Sequence, residues 1–590
     1  MSTFSKFRRY CKQKLGISNT ILFLAFFTGV FGATAAIIIK NLLHFTTSFL
    51  TNAFPNATHN YLYLAFPMLG IIITIFFVKR VVKEEISHGV SKVLGAISKD
   101  NGKLKKHNMY SSMVGSSITV GFGGSVGLEA PMVLTGSAIG SNLARYFNMS
   151  PKNTILLLAC GCTAAFAAVF KAPIAALVFA IELLMIDFTA VTVLPLMVSA
   201  ATGIVLSILF MGHNVMFLVA GDIIFDVKNV PFYILLGVFT AFISLYFLRT
   251  LRTVEKWFSK IKRRYLKGII GGSLLGGLIF FFPMFYGEGY TYINDLITCS
   301  APESIFKGSP LASIAQIPVL FIGLVLAIIL LKVIASAITL ASGGVGGTFG
   351  PTLFIGAFCG FFVAYILNLF FGLQLSYLHF ILAGMAGIMS GVMLTPLTAI
   401  FLTAELSTGY SLLIPLMITS SISYLIVSPI EKYSLYGKKL AEKGELKTHN
   451  KDFFAMRKVD WRTLIDHDIA TIPKHSTLRE YTRVIAKSAR NLFVVIDENK
   501  KFVGLLVMDY HRETIFDQTK YDTLHVEDLM IEPEEFVFES DSTKTVIEKF
   551  MRTGNFNLPI INDERTYIGF LSRAKVLTAY RDFIAEESRG

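Results

Sequence analysis

Two stretches of this 590-residue chain limit what it can become more than any others. GGSVGLEAPMVLTGSAIG at Gly123–Gly140 and GGVGGTFGPTLFIGAFCG at Gly343–Gly360 both set glycines and a proline inside long apolar text. Each is followed by a second related segment, FKAPIAALVFAIEL at Phe170–Leu183 and MLTPLTAIFLTAEL at Met393–Leu406. Pro131 and Pro351 are 220 residues apart, and Pro173 and Pro396 are 223 apart. Two matches in one order at nearly one offset mark a tandem duplication, with repeats over about 20–215 and 225–430.

The text around these motifs belongs in a bilayer. Hydrophobic residues make up 53% of the chain and charged residues 16%, against about a quarter charged in a soluble protein. Apolar blocks run from Thr20–Ile39, which lacks a cleavage pattern and is expected to stay as a helix, to Leu378–Val427. Several are too long for one span and are broken by Gly or Pro. Irregular backbone at membrane depth has to be buried in protein or line a water-filled path. That favours a channel or transporter over a simple anchor.

The net charge of +14 does not point to nucleic acid, because the basic residues flank apolar blocks. They crowd the N-terminus, the loop Lys79–Lys106 and the stretch Arg249–Lys267. By the positive-inside rule these are cytoplasmic ends, so both termini are expected in the cytoplasm. Cys11, Cys160, Cys162, Cys299 and Cys359 form no metal pattern and read as free thiols. The membrane part has no clustered nucleophiles, paired acids or phosphate loops of an enzyme.

Duplicated halves with broken helices place an ion or substrate site where the halves meet. A helix that starts just after a glycine loop aims free N–H groups and its positive dipole end at such a site, which suits an anion. Glu129 is the one charge within the first glycine motif. A carboxylate in a membrane interior is costly, by about 2.5 kcal/mol or more, and is a functional candidate by default. Helix-start amides would hold its ionised form as they would hold an anion, so Glu129 could compete with the anion and leave when protonated. The bland readings are a structural helix cap for Glu129 and close helix packing for the glycines.

These residues resemble the CLC family of chloride channels and chloride/proton exchangers. GGSVGLEAP is similar to its glutamate-bearing motif, with Gly127, Glu129 and Pro131 in place. SGGVGGTFGP, FKAPIAALVFAIEL and YGEGY at Tyr286–Tyr290 are similar to further family motifs, in the family's order. The resemblance implies an all-α multi-pass membrane domain of two inverted repeats, over 19–440, working as a homodimer with a pore in each subunit. It implies chloride or a related anion as cargo, protons as a second candidate, and Glu129 as the gate. Backbone amides of Gly127, Leu128, Glu129, Phe349 and Gly350 would face the anion. Tyr436 in SLYGKKL would offer its hydroxyl to it, or else serve as an interfacial anchor.

Two departures qualify this. His88, in SHGVS, stands where the family places an anion-binding serine, as an anion ligand or as a packed polar residue. Leu183 follows Glu182 where exchangers commonly have a second, proton-relaying acid. Leucine carries no proton, so passive, voltage- or pH-gated anion conduction is the first expectation, and chloride/proton antiport is the alternative. Glu182 and Glu405 hold equivalent places in the repeats and are expected to share a structural role.

After an N-terminal piece over 1–18, the membrane domain and a linker over 441–458, the segment 459–590 is expected to be soluble and α+β. FVVIDENKKFVGLL and LPIINDERTYIGFL align closely, marking two units over about 459–520 and 526–585 that resemble a tandem CBS pair. Such pairs often bind adenine nucleotides through a Ser/Thr ahead of an Asp. Neither copy keeps that pattern, and Ser572 is the one candidate left. A structural or dimerising tail without cofactor is expected. A ligand-sensing membrane receptor is the lower-ranked alternative for the whole chain.

Overall fold

Glycine and proline decide where the long apolar blocks become separate helices. In the computed structural model, residues 16–52, 61–84, 86, 89–213, 216–217, 225–298, 302–306, 309–407, 409–446 and 460–589 are described. They form two units, residues 1–446 and 447–590.

Among the described residues the first unit is helical, and its α-helices up to Val427 fall into two sets of eight. The first set is α1 (Gly16–Asn52), α2 (Phe66–Phe77), α3 (Gly89–Lys99), α4 (Ser111–Gly121), α5 (Glu129–Tyr146), α6 (Pro151–Phe170), α7 (Pro173–Glu182) and α8 (Ala190–Met211). The second is α9 (Val230–Ser259), α10 (Arg264–Phe281), α11 (Tyr290–Thr298), α12 (Pro318–Ala341), α13 (Phe349–Phe371), α14 (Tyr377–Met393), α15 (Pro396–Leu406) and α16 (Leu413–Val427), followed by the short α17 (Lys438–Glu442). Among the described residues, eight helices are long and apolar enough to cross a membrane. The first runs well past Thr20–Ile39: at 37 residues and about 1.5 Å each, α1 exceeds a bilayer's apolar thickness and would cross it tilted.

The breaks fall at matching places. Gly123 and Gly343 both take positive φ, 94° and 110°, which turns the chain between α4 and α5 and between α12 and α13. Before α7 and α15 the turn is made by non-glycine residues in the left-handed region, Lys171 at φ 54° and Leu394 at φ 56°. Pro173 and Pro396 then open the next helix, where a missing N–H costs nothing.

Small residues let helices close up in the same way in each half. A Cβ on Gly136 would lie 2.2 Å from the Gly161 carbonyl oxygen, and one on Gly356 would lie 2.5 Å from that of Gly384. Thus α5 packs backbone-to-backbone on α6, and α13 on α14. Cys160, Cys162 and Cys359 are free and buried in these helices; Cys11 and Cys299 lie outside the described residues.

The tail carries two three-stranded sheets of one design. β1 (Thr471–Pro473), β2 (Leu492–Ile496) and β3 (Phe502–Val507) form the first, and β4 (Val537–Phe538), β5 (Asn557–Ile561) and β6 (Tyr567–Ser572) the second. In each, the first pair is parallel, the second antiparallel, and a bulge follows the central strand's fourth residue. The leading segments are exchanged. Trp461 fills the core under the second sheet with Val546 and Leu571, while Val526 fills the first beside Ile472 and Phe493.

Candidate functional site

The two glycine loops meet. Gly127 N–H donates to the Gly347 carbonyl at 2.9 Å, and Gly347 N–H donates back to Gly127 at 2.7 Å. Behind them the Thr119 hydroxyl oxygen accepts the Val345 N–H at 3.0 Å, and that of Thr339 accepts the Ser125 N–H at 3.2 Å. Each bond is repeated with the halves exchanged, which is how two copies related by a two-fold axis touch. The starts of α5 and α13 are thereby brought to one place, and both helices aim their positive ends there.

Glu129, the first residue of α5, occupies that place. It is buried, with 2% of its surface exposed. Its Oε1 accepts the Tyr290 hydroxyl at 2.5 Å, and the carboxylate also faces its own backbone amide and that of Gly350. Its Oε2 is buried without a hydrogen-bond partner. Gly127 makes the seat: a Cβ there would lie 1.8 Å from Oε2. Gly350 lines the other side, where a Cβ would come to 3.3 Å of both Oε1 and the Tyr290 hydroxyl.

The second repeat puts Phe349 where the first puts Glu129. Phe349 is fully buried, and its ring packs on Phe179 at 5.5 Å, Phe166 at 5.9 Å and Tyr436 at 6.2 Å. Tyr436 is buried too and shares a hydrogen bond of 2.9 Å with the Thr348 hydroxyl, within electrostatic reach of Glu129. That rules out an interfacial anchor for Tyr436. The chain ahead of it is tied down by Glu431, which pairs with Arg252 and, at 2.7 Å, with Lys438.

The expected anion ligands are therefore only partly free to act. Glu129, Phe349, Gly350 and Tyr436 come together. Gly127 does not offer its amide, because Gly347 takes it. The Leu128 amide is also engaged, donating at 3.0 Å to Glu288 Oε1. His88 lies outside the described residues, and Ser572 is the last residue of β6, in the other unit.

Sequence reasoning missed Tyr290, Glu288 and Lys332. Lys332 sits in the middle of α12, fully buried, and donates to the Gly287 carbonyl at 3.3 Å. An ionisable residue within a 24-residue apolar helix was the signal that could have found it.

Glu182 is committed elsewhere. Its carboxylate accepts the Leu397 and Thr398 amides at 3.2 and 2.8 Å, and the Thr398 hydroxyl at 2.7 Å. Glu405 accepts the Ile174 and Ala175 amides at 3.1 and 2.9 Å. Each acid ends one repeat's short helix and caps the start of the other's. Leu183 is buried at 2% exposure.

The chain's relatives fit this arrangement. The family model for voltage gated chloride channels matches residues 69–428, and that for the CBS domain matches 526–582. A ClcB-like chloride channel protein from Ralstonia nicotianae is 26% identical over 359 residues, covering 60% of this chain and 79% of that protein. The H(+)/Cl(-) exchange transporter ClcA of Klebsiella pneumoniae is 27% identical over 413 residues, covering 68% of this chain and 84% of that one. The crystal structure of a eukaryotic CLC transporter shares the fold with a TM-score of 0.63 at 16% identity, over 97% of this chain and 99% of that one.

Proposed function

The chain belongs to the voltage gated chloride channel family, and on that premise we propose that it exchanges chloride for protons across a membrane, with Glu129 as both plug and proton carrier. One observation carries the reading. A carboxylate sits where two helix starts converge, in a seat that fits an anion, with Oε2 unpartnered and Oε1 held by one hydroxyl. Ionised, Glu129 takes the amides an anion would use. Protonated, it no longer competes for them, and chloride takes its place. Chloride and proton then use one site in turn, which is what exchange requires. No covalent chemistry is part of this.

Antiport takes precedence over the passive conduction expected from Leu183 because the Klebsiella relative, matched over 84% of its length, is named an exchanger. Passive conduction stays as the second reading for a specific reason: Glu182 is spent as a cap and Leu183 carries no proton. In the exchanger reading, protons reach Glu129 by a route that does not use position 183.

A homodimer with one pathway per subunit belongs to the same proposal. A second copy would cover the exposed apolar side chains of α8 and α16, such as Val191, Phe210, Ile414 and Leu425. Cytoplasmic termini follow from the basic loops, and the tail is taken as structural, without an adenine nucleotide at Ser572.

Reconstituted liposomes test the reading. An imposed chloride gradient should drive protons uphill in the wild type, and Glu129→Gln should pass chloride with no proton movement. Chloride flux without proton movement in the wild type would hand the case to passive conduction.

A further inference from the structure

The five residues YGEGY between α10 and α11 touch the plug at two points. Tyr290 bonds the Glu129 carboxylate, and Glu288 Oε1 accepts the Leu128 N–H. Leu128 is the N-cap of α5, so this N–H is one of the free donors at the helix start and lies one residue before the plug. Ionised, Glu288 holds a negative charge on an amide that an approaching anion would otherwise use.

This placement is built. Gly287 at φ 65° and Gly289 at φ 83° flank Glu288 and turn it inward. Lys332 grips the Gly287 carbonyl while lying over the Phe354 ring at 4.7 Å and the Phe285 ring at 5.7 Å. Tyr286 anchors the near end by donating to the Gly121 carbonyl at 2.7 Å. The charged groups facing Glu288 are Glu129 on α5, Lys40 on α1 and Lys332 on α12, with the Tyr290 hydroxyl alongside. Glu288 is partly exposed, unlike Glu129.

The side it faces follows from topology. α10 begins at Arg264 in the basic, cytoplasmic stretch and rises about 27 Å over its 18 residues. The loop after it therefore reaches Glu129 from the opposite, outer side.

We propose that Glu288 is a second tethered anion, set on the Leu128 amide at the outer approach to Glu129, which external chloride must displace before it reaches the plug. Glu288 is a specificity-determining residue for entry from outside, and its charge repels both chloride and the ionised plug. Protonating it from the outer solution removes both repulsions. This rests on the anion-transport reading of the site and adds a sided entry barrier to it.

The test is sided chloride titration of reconstituted protein with Glu288→Gln, whose side-chain oxygen can still accept the Leu128 N–H. With the outer solution at about pH 9, where Glu288 is ionised, half-saturating external chloride is expected to fall on the order of tenfold, with the value at the other face and the maximal rate little changed. Burial and the Glu129 charge raise the Glu288 carboxyl to about 8, so acidifying the outer solution from about pH 9 to about 6 should shift the wild type the same way and the variant less. An unchanged external half-saturation overturns the proposal, as does a lower maximal rate alone, which would make Glu288 a loop anchor. Should Glu288→Gln fail to reach the membrane, Glu288→Asp decides instead. Its shorter arm loses the Leu128 amide, and an unchanged external half-saturation there is equally fatal. Proton coupling of the wild type, measured in the same vesicles, separates failure of this inference from failure of the exchanger reading.

Discussion

The two repeats of the membrane unit make reciprocal bonds at several matched pairs and part company at Glu129 and Phe349. The threonine pair Thr119 and Thr339, the glycine pair Gly127 and Gly347, and the acid pair Glu182 and Glu405 all make the same bonds in both directions. Two residues past the glycine pair, one repeat has Glu129 and the other Phe349. The partners differ accordingly: a hydroxyl and amides around the acid, three packed rings around the phenylalanine. Symmetric contacts hold the halves together, and the asymmetric pair is left for transport. Acids do both jobs here, and their partners tell them apart. Glu182 has both oxygens bonded, whereas Glu129 keeps one oxygen free.

The sharpest way to break this comparison is to substitute matched glycines. Gly127→Ala drives a methyl into Oε2 and should displace the ionised plug, so chloride leaks and the proton-to-chloride ratio falls several-fold in flux assays. Gly347→Ala meets Ala130 at 2.9 Å and should lower thermal stability while leaving that ratio alone.

Next come the reciprocal acids. Glu182→Gln and Glu405→Gln should each cost about 1–3 kcal/mol, seen as similar drops in melting temperature, with coupling intact in both. Loss of coupling in Glu182→Gln alone would restore a relay role to that residue. A smaller effect, about 1 kcal/mol each, is expected of Thr119→Val and Thr339→Val, with the double variant close to the sum only if the two bonds act independently.

The smallest test concerns the tail, where charge rather than symmetry is at issue. Burial pushes the Asp466 carboxyl up, but the Asp468 amide, Arg490 and Lys575 outweigh it and hold the group below the usual carboxylate range. A carboxyl depressed in the folded state stabilises above its unfolded pKa, about 4, and that stability is lost as pH falls through the folded value. Asp466→Asn should therefore lower the melting temperature at pH near 7 and converge on the wild type at about pH 3.

Much of this was open to inspection in the chain itself. The duplication and the singularity of Glu129 follow from spacing, because a two-fold arrangement forces matching residues into matching surroundings. Residues 182 and 405 could be paired for the same reason. What spacing cannot give is the direction of an N–H. Gly127 looked like an anion ligand because glycine leaves its amide uncovered, yet that amide is used to join the halves. Glu288 escaped notice because it reaches Leu128 across 160 positions of sequence. Tyr290 and Lys332 act through the same long-range folding of one loop. The channel expectation rested on Leu183 alone, and a missing relay at one position says nothing about water or side chains elsewhere.

The exchanged caps at Glu182 and Glu405 bear on how the molecule is made. Until residues 396–405 have been synthesised, the acid at 182 lacks its amides and the helix beginning at Pro173 has no acid at its open end. The first half must then wait in the bilayer, unfinished, for the second to insert beside it. A ribosome that stalls between them would leave a fragment for quality-control proteases, and two separately encoded halves would have to find each other in the membrane before either became durable.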